Sequence, residues 1–256
     1  MNQELIGGAK RIVIKVGSSS ITGANESKLD GIVDLAVRLM DSGKDVLIVS
    51  SGAIATAAPM IGLTVKSEDL ATSQALASIG QARLMARYER SLARHNRIPA
   101  QILLTVDNLE EDVTRTNAQR ALERLIEIGV VPVINENDSV ATQEIRFGDN
   151  DQLAARVSGL FGADLLLLLS DVDSLYTAPP SEAGAERIPV VSFGADLSEV
   201  QVSGTSTGYG TGGALTKLVA ARQAAENGVG VILTATENVS VLDKEECNHT
   251  WFEPAK

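Results

Sequence analysis

Two lysines in this sequence stand where a protein could bind a phosphate group. Lys15 lies at the end of an apolar run and is followed by Gly17 and by the hydroxyls of Ser18 to Ser20. Lys217 comes after the glycine-rich segment 208–213, at the start of a helical pattern. Glycine lets the backbone come close to an anion, and the free N–H groups at a helix start attract one. A lysine in an apolar run is costly unless it meets a negative partner, so we interpret both lysines as anion-binding groups.

The glycine-rich segment has the spacing G-x-G-x-x-G that is found in many dinucleotide sites. No convincing strand precedes it, and it lies late in the chain instead of in a first strand–helix–strand unit, so a dinucleotide site is disfavoured. Backbone N–H groups at the start of the following helix are better suited to hold phosphates. The candidates for nucleotide binding in this region are Thr211, Gly212, Gly213, Ala214, Leu215, Thr216 and Lys217.

Polar clusters follow two other apolar runs. Ser51, Gly52 and Ala53 come after one run, and Asn135 to Asp138 come at the end of the other. One such cluster could equally be a turn or a helix cap, because Ser, Asn and Asp are common in both. Several clusters together favour a ligand site, since ligands of open α/β sheets bind beyond the carboxyl ends of the strands. Asn135 and Asp138 offer a donor and a carboxylate, which the two charged groups of an amino acid need.

The segment Gly148-Asp149-Asn150-Asp151 precedes a further helical pattern. Capping accounts for one carboxylate, because the helix dipole stabilises negative charge at that end. Two carboxylates around Asn150 are more typical of a device that orients cationic groups or Mg²⁺. Carboxylate spacing alone does not identify a metal site, so we assign no residue directly to a metal.

The composition disfavours some binding partners and some cellular locations. With 22 Lys and Arg against 33 Asp and Glu, the net charge is −11, which opposes nonspecific binding to nucleic acid. No apolar run reaches the ~18 residues of a membrane span, and the first residues lack a signal-peptide pattern, so we expect neither a membrane protein nor an exported one. The single cysteine, Cys247, suits a reducing compartment. We therefore predict a cytoplasmic location.

Two familiar kinase classes lack their signatures in this chain. The only Gly-Lys pair, Gly43-Lys44, is followed by Asp45 and has no glycine upstream at the spacing of a P-loop. Neither H-R-D nor D-F-G occurs, which excludes the protein-kinase class. The two histidines, His95 and His249, have no metal-ligand or catalytic-serine pattern nearby, and we interpret both as surface residues.

These candidates lie between elements that the hydrophobic pattern predicts. Short runs rich in Val, Ile and Leu are typical of buried strands, and they cover 12–16, 46–49, 98–104, 130–134, 165–169 and 229–233. Helical patterns cover 29–40 and 67–96, and others begin near Thr114, Asp151 and Thr216. This alternation predicts an α/β fold with a mainly parallel sheet covered on both faces. We expect hairpins or mobile loops in 142–149 and 171–213, which break the alternation.

Taken together, these segments resemble the amino acid kinase superfamily over nearly the whole chain. The resemblance rests on Ile14 to Ser19, Val49 to Ala55, Val133 to Asp138, Gly148 to Asp151, and Gly210 to Gly213 with Lys217. The Asn-Glu-Asn-Asp segment followed by Gly-Asp-Asn-Asp resembles the members that phosphorylate glutamate. The resemblance implies a three-layer αβα sandwich with a mainly parallel central sheet. It also implies a single domain over 1–256, without the C-terminal PUA domain that many bacterial members carry.

The resemblance further implies an activity and the places of its ligands. The activity is ATP-dependent phosphorylation of the side-chain carboxylate of L-glutamate to L-glutamyl 5-phosphate, the first step of proline biosynthesis. Glutamate is expected near Ser51, Asp138 and Asn150. The residues expected near ATP are Lys15, Gly17, Ser18, Ser170, Asp171 and 211–217. The family usually has Met-Ser or a similar pair at 214–215, so Ala214-Leu215 removes a hydroxyl there.

Phosphoryl transfer needs alignment and charge stabilisation, and the glutamate carboxylate is already ionised, so no general base is required. We assign Lys15 and Lys217 to neutralising the transferring phosphoryl group. Asp149 or Asp151 would position the lysines and Mg²⁺, which binds mainly through ATP.

Several partners and two alternative functions stay open at this point. The family implies a homodimer or homotetramer, and the long helical stretch 67–96 is a candidate interface. Proline, the end product of the pathway that the family serves, resembles glutamate chemically and is expected to act as a feedback inhibitor. The acyl phosphate product is prone to hydrolysis, which favours handover to a glutamyl-phosphate reductase. One alternative is another phosphotransferase of the superfamily, acting on aspartate, carbamate, a nucleoside monophosphate or isopentenyl phosphate. The other is a catalytically silent sensor of glutamate or proline.

Overall fold

The computed structural model describes residues 1–63, 69–140, 150–197 and 214–256, and within these ranges the chain forms ten β-strands and eight α-helices. The strands are β1 (Arg11–Val16), β2 (Asp45–Ser50), β3 (Pro99–Leu104), β4 (Val131–Glu136), β5 (Leu165–Ser170), β6 (Leu175–Tyr176), β7 (Arg187–Ile188), β8 (Val190–Val191), β9 (Gly230–Ala235) and β10 (Thr250–Phe252). The helices are α1 (Asn2–Gly8), α2 (Lys28–Asp41), α3 (Ala53–Ala57), α4 (Leu70–Ala93), α5 (Val106–Glu110), α6 (Asp112–Glu127), α7 (Asn150–Phe161) and α8 (Ala214–Glu226). The six predicted strands are β1 to β5 and β9, each within a residue or two of its predicted bounds.

Eight of the described strands form one sheet in the order β3-β4-β2-β1-β5-β9-β10-β8. Neighbouring strands from β3 to β9 run parallel, whereas β10 pairs antiparallel with β9. β1 is central, and its register places Lys15 beside Val49 of β2 and Leu168 of β5. The predicted α/β fold with a mainly parallel central sheet is confirmed.

Helices cover both faces of this sheet. Ile12 and Ile14 of β1 face a core that they share with α2 and α4, whereas Val13 faces a second core shared with α6, α7 and α8. Side chains alternate along a strand, so Lys15 lies on the same face as Val13. The result is the three-layer αβα sandwich that the resemblance implies, with Lys15 directed to the layer that contains α7.

Helix α2 shows how the local sequence forms an element. Leu29, Ile32 and Val33 recur at three- and four-residue steps and are all buried, which makes one apolar face against the sheet. The helix ends before Gly43, whose φ of 87° lies in the left-handed region that ends many helices. The predicted helix over 29–40 is therefore confirmed.

The long helical pattern over 67–96 forms α4, which has 24 residues. Asp69 caps its start, because the side chain accepts a hydrogen bond from Thr72 N at 2.9 Å. Neither α4 nor any other helix in the described ranges combines the length and apolar character needed to cross a membrane.

Within 171–197, the described part of the stretch 171–213, Leu175 of β6 lies opposite Ile188 of β7 in an antiparallel hairpin. A hairpin was one of the two expectations for this stretch. The remainder of it, 198–213, and the second irregular stretch, 142–149, lie outside the described residues.

The edge formed by β10 and β8 was not predicted, because the two strands have only three and two residues, too few for a hydrophobic pattern to stand out. β10 is held to β9 by close packing: a Cβ atom on Gly230 would lie 2.0 Å from the Trp251 indole. The interpretation of His249 as a surface residue is wrong, since it precedes β10 and only 3% of it is exposed. Its Nδ1 lies 2.8 Å from the Cys247 carbonyl oxygen. Formation of this edge buries it.

Candidate functional site

The polar clusters at the strand ends meet where the direction of the sheet connections changes. After β1 the chain adds β2, β3 and β4 on one side of it, and β5 and β9 then follow on the other side. α7 connects β4 to β5 and crosses over β1 and β2 on the way. In open α/β sheets, ligands bind at such a switch point, beyond the carboxyl ends of the strands. The N-terminus of α7 therefore lies above the strand ends that carry the candidate residues.

Asp151, in the first turn of α7, binds both candidate lysines. Its Oδ1 forms an ion pair with Lys15 Nζ, and its Oδ2 lies 3.2 Å from Lys217 Nζ. All three residues are buried, with exposures of 0% for Asp151, 3% for Lys15 and 7% for Lys217. Charges this deeply buried are rare unless they are paired. The structure thus joins β1, α7 and α8 through three residues that the sequence singled out.

The ionisation of Asp151 follows from its two neighbours. Burial alone would raise the pKa of the carboxyl, but the ammonium groups of Lys15 and Lys217 outweigh that effect and hold the pKa below its usual value. The carboxylate is therefore anionic at neutral pH. It can hold both ammonium groups in place without itself needing a proton.

Asn150, directly before Asp151, links the ends of β2 and β4. Its Nδ2 donates to the Ser50 carbonyl oxygen at 2.9 Å, to Ser51 Oγ at 2.8 Å and to Asn135 Oδ1 at 2.9 Å. Three acceptors around one amide nitrogen fix its position more closely than solvent contacts could. Of the substrate-side candidates, Ser51, Asn135 and Asn150 therefore form one network.

Two polar atoms of this network are buried without a hydrogen-bond partner among the described residues. They are Asn135 Nδ2 and Asn150 Oδ1. Asn135 Oδ1 accepts from both Asn150 and the Glu136 backbone N–H, so its amide orientation is set by the protein. A buried donor and a buried acceptor left over beside a strand end are typical of a site that binds a polar ligand.

Asp138 follows β4 and is half-buried. Burial raises the pKa of its carboxyl to about 6. A carboxyl group with this pKa is still mostly ionised at neutral pH and would gain from a cationic partner. It has the properties needed to bind an ammonium group.

Gly52 and Ala53 form the turn that carries Ser51 into α3. Gly52 has a φ of 105°, in the region that residues with a side chain rarely adopt. Ala53 is buried, and its carbonyl oxygen would lie 1.8 Å from a Cβ atom on Gly80 of α4. Close contact with α4 therefore sets the position of this substrate-side turn.

The loop after β1 lies beside the Lys15 ammonium group. A Cβ atom on Gly17 would be 3.9 Å from Lys15 Nζ, so a larger side chain at this position would enter the space in front of the ammonium group. Ser18 to Ser20 form a single 3₁₀ turn, and the Ser18 carbonyl oxygen accepts from Thr22 Oγ1 at 2.8 Å. The predicted close approach of an anion at Gly17 is compatible with this geometry.

A buried hydroxyl links the ends of β1, β5 and β9. Thr236 Oγ1 lies 2.9 Å from Ser20 Oγ and 3.0 Å from the Ser170 carbonyl oxygen. Ser170 is buried and its Oγ donates to Asp171 Oδ1 at 3.0 Å, while Asp171 itself is exposed. These bonds hold the candidate nucleotide residues Ser170 and Asp171 next to the loop that follows β1.

A cleft opens between the segment after β5 and the start of α8. Most of the residues that line it are apolar, and Lys217 is one of the polar ones. It is lined by Val172, Ser174, Leu175, Tyr176, Ala178, Pro179, Pro180, Ala214, Lys217, Leu218, Leu233 and Phe252. A mostly apolar cleft with a lysine in its lining can accept an apolar group that carries a phosphate.

Not every candidate residue enters this geometry. Asp149, Thr211, Gly212 and Gly213 lie outside the described residues. Leu215, in α8, is 55% exposed, so its side chain points away from the core. Thr216 Oγ1 lies 3.4 Å from Asp151 Oδ2, which adds a hydroxyl to the ion-pair cluster. In the part of the chain that the structure describes, no group of three or more His, Cys, Asp or Glu side chains could hold a metal ion.

Sequence reasoning missed two groups next to the site. Thr236 directly follows β9, so the rule that directs attention to strand ends would have found it. Tyr88 lies in the middle of α4, and its hydroxyl donates to Ser50 Oγ at 2.9 Å. Nothing in the local sequence distinguishes Tyr88 from an ordinary core residue.

Comparison with known proteins gives the following similarities. The family model described as "Amino acid kinase family" matches residues 10–234. A glutamate 5-kinase of Clavibacter michiganensis subsp. michiganensis is 53% identical over 249 residues, which cover 97% of this chain and 96% of that protein. A glutamate 5-kinase of Leifsonia xyli subsp. xyli is 53% identical over 249 residues, covering 97% of this chain and 92% of that protein. In three dimensions, a carbamate kinase from Giardia lamblia bound to AMP-PNP superposes with a TM-score of 0.67 at 12% identity, over 97% of this chain and 99% of that one. At that identity, the likeness shows a shared fold.

Proposed function

This chain belongs to the amino acid kinase family, and on that premise we propose that it transfers a phosphoryl group from ATP to the side-chain carboxylate of L-glutamate. The product is L-glutamyl 5-phosphate. The observation that carries the proposal is the pairing of Lys15 and Lys217 with Asp151, directly beside the Asn150 network. Relatives with 53% identity over almost their whole length are named for this activity.

The two lysines supply the charge stabilisation that phosphoryl transfer needs. In this reaction, the attacking oxygen, the phosphorus atom and the leaving oxygen lie roughly in line, and negative charge is spread over the other phosphoryl oxygens. Preorganised cations stabilise that charge. Lys15 reaches the centre of the site from β1 and Lys217 reaches it from α8, so the ammonium groups approach from different elements. Asp151 holds both before the substrates arrive. The acceptor carboxylate is ionised at neutral pH, so the reaction needs no general base.

The substrate side offers groups for both ends of glutamate. Asp138 would bind the ammonium group, since it is a carboxylate whose burial favours a cationic partner. Ser51, Asn135 and Asn150 are hydroxyl and amide groups suited to carboxylate oxygens. The turn at Gly52 and Ala53 brings backbone N–H groups to the same region.

The residues on the other side fit a nucleotide. The cleft next to Lys217 has apolar walls, and the lack of a side chain at Gly17 leaves space in front of Lys15. Ser170 and Asp171 border this region, and the segment 211–216 is assigned to the phosphates by its sequence. When bound, Mg²⁺ would add positive charge at the phosphate oxygens, and we expect it to be held mainly by ATP.

The experiment that tests this proposal measures ADP release with ATP and Mg²⁺ in the presence and absence of L-glutamate. We expect fast release only with L-glutamate, and hydroxylamine should trap the acyl phosphate as a hydroxamate. Equal stimulation by aspartate, carbamate or UMP would support a different phosphotransferase of the family. Glutamate or proline binding without ADP release would support a catalytically silent sensor.

Proline is proposed as an inhibitor that shares the glutamate site. Both molecules carry an α-carboxylate and an adjacent cationic nitrogen, but proline lacks the distal carboxylate that accepts the phosphoryl group. Proline should therefore compete with glutamate and not with ATP in initial-rate measurements. Asp138→Asn removes one charge-assisted hydrogen bond and should raise the glutamate KM and the proline inhibition constant together, by about tenfold or more. An unchanged proline constant in this variant would show that proline binds elsewhere.

Other parts of the proposal rest on the sequence alone. They are a kinase domain over 1–256, a cytoplasmic location, a homodimer or homotetramer, and handover of the product to a glutamyl-phosphate reductase. The product is an acyl phosphate that water hydrolyses, which is the chemical reason to expect a reductase that consumes it.

A further inference from the structure

Tyr88 is completely buried in α4, with 0% of the residue exposed, yet it carries a polar hydroxyl. That hydroxyl donates to Ser50 Oγ at the end of β2, at 2.9 Å. Ser50 Oγ in turn donates to the Ser51 carbonyl oxygen at 3.0 Å. Because each hydroxyl has one proton, the two bonds form a directed chain that runs from α4 to the backbone of Ser51.

The strand parity of β2 explains why this chain exists. Val46 and Ile48 face the core that contains α4, and Ser50 follows them at the same two-residue step. Its side chain therefore points to α4, away from the face where Lys15 meets Asp151. The backbone of Ser50 is used on the substrate side, since its carbonyl oxygen accepts from Asn150 Nδ2 at 2.9 Å.

The chain from Tyr88 ends at the groups that hold Asn150. Asn150 Nδ2 donates both to the Ser50 carbonyl oxygen and to Ser51 Oγ, at 2.9 and 2.8 Å. Ser51 carries one of these acceptors on its side chain and is joined to the other through its backbone N. The bond from Ser50 Oγ to the Ser51 carbonyl oxygen restrains the backbone conformation of Ser51, and Tyr88 determines where the Ser50 proton points.

We infer that Tyr88 is a positioning residue for amino-acid binding, acting through Ser50 on Ser51 and Asn150. The inference rests on the proposed function, because Ser51 and Asn150 are assigned to the substrate there. Tyr88 does not touch the substrate. Its hydroxyl restrains, through Ser50, the backbone that carries the Ser51 hydroxyl.

The ring and the hydroxyl of Tyr88 have different roles, which one substitution can distinguish. The ring of Tyr88 packs in the core with Leu84 and Leu92 of the same helix, and a phenylalanine ring would fill this space equally well. Burial raises the pKa of the Tyr88 hydroxyl to about 12, so it remains a protonated donor at neutral pH. Removing the hydroxyl alone leaves Ser50 Oγ without its donor while the core remains filled.

The test is the substitution Tyr88→Phe, studied by steady-state kinetics with both substrates varied. We expect the glutamate KM to rise about three- to tenfold, the range that the loss of one buried hydrogen bond produces. The kcat should stay within about twofold, because the transferring groups are not moved. The KM for ATP should not change. Ser50→Ala should give the same pattern, and the double variant should be no worse than either single variant, because both remove the same chain.

Ser91→Ala is the matched control on the same helix. Ser91 is 2% exposed and its Oγ donates to Asp30 Oδ1 of α2 at 2.6 Å, so this substitution also removes a buried hydroxyl from α4. It should lower thermal stability about as much as Tyr88→Phe without changing the glutamate KM.

The outcomes separate the inference from the proposed function. If the unmodified protein shows no glutamate-dependent ADP release, both are overturned. If it does and Tyr88→Phe and Ser50→Ala keep the original glutamate KM, only the inference is overturned. An equal rise in the KM values for glutamate and ATP would also overturn it, because that is the result of general destabilisation. If Tyr88→Phe does not fold, Ser50→Ala decides by the same criteria.

Discussion

At Asp151, two ammonium groups keep a carboxylate ionised in a position where burial alone would favour its protonation. Lys15 and Lys217 in turn require a nearby anion, because a buried ammonium group without one strongly destabilises the folded protein. The same arrangement satisfies the buried charges and, in the proposed mechanism, prepares the site for phosphoryl transfer. It holds two cations at fixed positions beyond the strand ends, where a phosphoryl group would be transferred.

The first prediction concerns Lys217. Lys217→Met keeps most of the side-chain volume and leaves Asp151 paired with Lys15, so the protein should fold. Loss of one preorganised cation should lower kcat by about 10² or more. Lys10→Met is the control and should leave kcat unchanged. It removes an exposed lysine that directly precedes β1, at the end of the strand far from Lys15. Wild-type turnover in a folded Lys217→Met variant would remove Lys217 from the mechanism.

The second prediction concerns pH. Burial raises the pKa of Asp138 to about 6, and the proposed role requires the ionised form to bind the substrate ammonium group. As the pH rises through about 6, Asp138 loses its proton, so the glutamate KM should fall and then become constant above that value. Initial rates over a series of pH values would show this inflection in kcat/KM, which reports the free enzyme. Asp138→Asn should have a higher KM without the inflection; an unchanged inflection would assign it to another group.

At the scale of elements, α4 supports the substrate-side turn from behind. Its Tyr88 binds Ser50, its Gly80 leaves space for the Ala53 carbonyl oxygen, and its Leu76 packs with α3. The turn leads into α3, which has only five residues. Besides its bonds to Val16 and Asn150, contact with α4 therefore holds it in place.

The third prediction tests this contact. A Cβ atom on Gly80 would lie 1.8 Å from the Ala53 carbonyl oxygen, so Gly80→Ala must separate α3 from α4. We expect the free energy of unfolding to fall by about 1–3 kcal/mol, as in other overpacked sites, and the glutamate KM to rise. Chemical denaturation and kinetics would measure both.

Gly159→Ala in α7 is the matched control for Gly80→Ala. Its added Cβ would have its nearest neighbour at 3.7 Å, which is ordinary contact. An alanine within a helix that meets no clash should raise stability by up to about 1 kcal/mol. Equal effects of the two substitutions would show that backbone propensity, and not contact with Ala53, explains the result.

At the scale of the whole molecule, exposed apolar side chains lie near α4. Met60 and Leu63, in and after the 3₁₀ turn that follows α3, are 53% and 47% exposed, and Ile79 of α4 is 39% exposed. Met60 also lines a groove with Arg83 and Arg87 of α4. An apolar surface rimmed by polar residues is typical of a contact between proteins. It lies where the helical stretch 67–96 was proposed as a subunit interface.

The fourth prediction is that the protein is a homodimer or homotetramer through this surface. Light scattering after size-exclusion chromatography should give two or four times the mass of the chain. Ile79→Glu should shift the population to a smaller species, because a charge at an apolar contact is costly to bury. Val113→Glu, which changes a 67% exposed residue of α6 on the other side of the sheet, should not. A monomer in the unmodified protein would contradict the prediction.

Local patterns in the sequence determined which elements form and which residues matter most. Runs of β-branched and leucine residues predicted the six main strands, because buried parallel strands need apolar side chains on both faces. The strand-end rule then directed attention to Lys15, Ser51 and Asn135, and helix-start reasoning to Asp151 and Lys217. Ser170 came from the family resemblance. The short strand β10 escaped this reasoning, since its pairing with β9 depends on how Trp251 packs on Gly230.

Only the tertiary structure decided which of these residues meet. Asp151 lies between Lys15 and Lys217 because side-chain parity on β1 and the path of α7 over the sheet bring them to one point, and neither is visible in a local pattern. Tyr88 reads as a core aromatic in α4, and its role depends on which face of β2 carries Ser50. Sequence patterns act over a few residues, whereas a site is assembled from strand register and helix packing. The physical reason is that periodicity reports which face of an element is buried, and not which atom of a distant element lies opposite it.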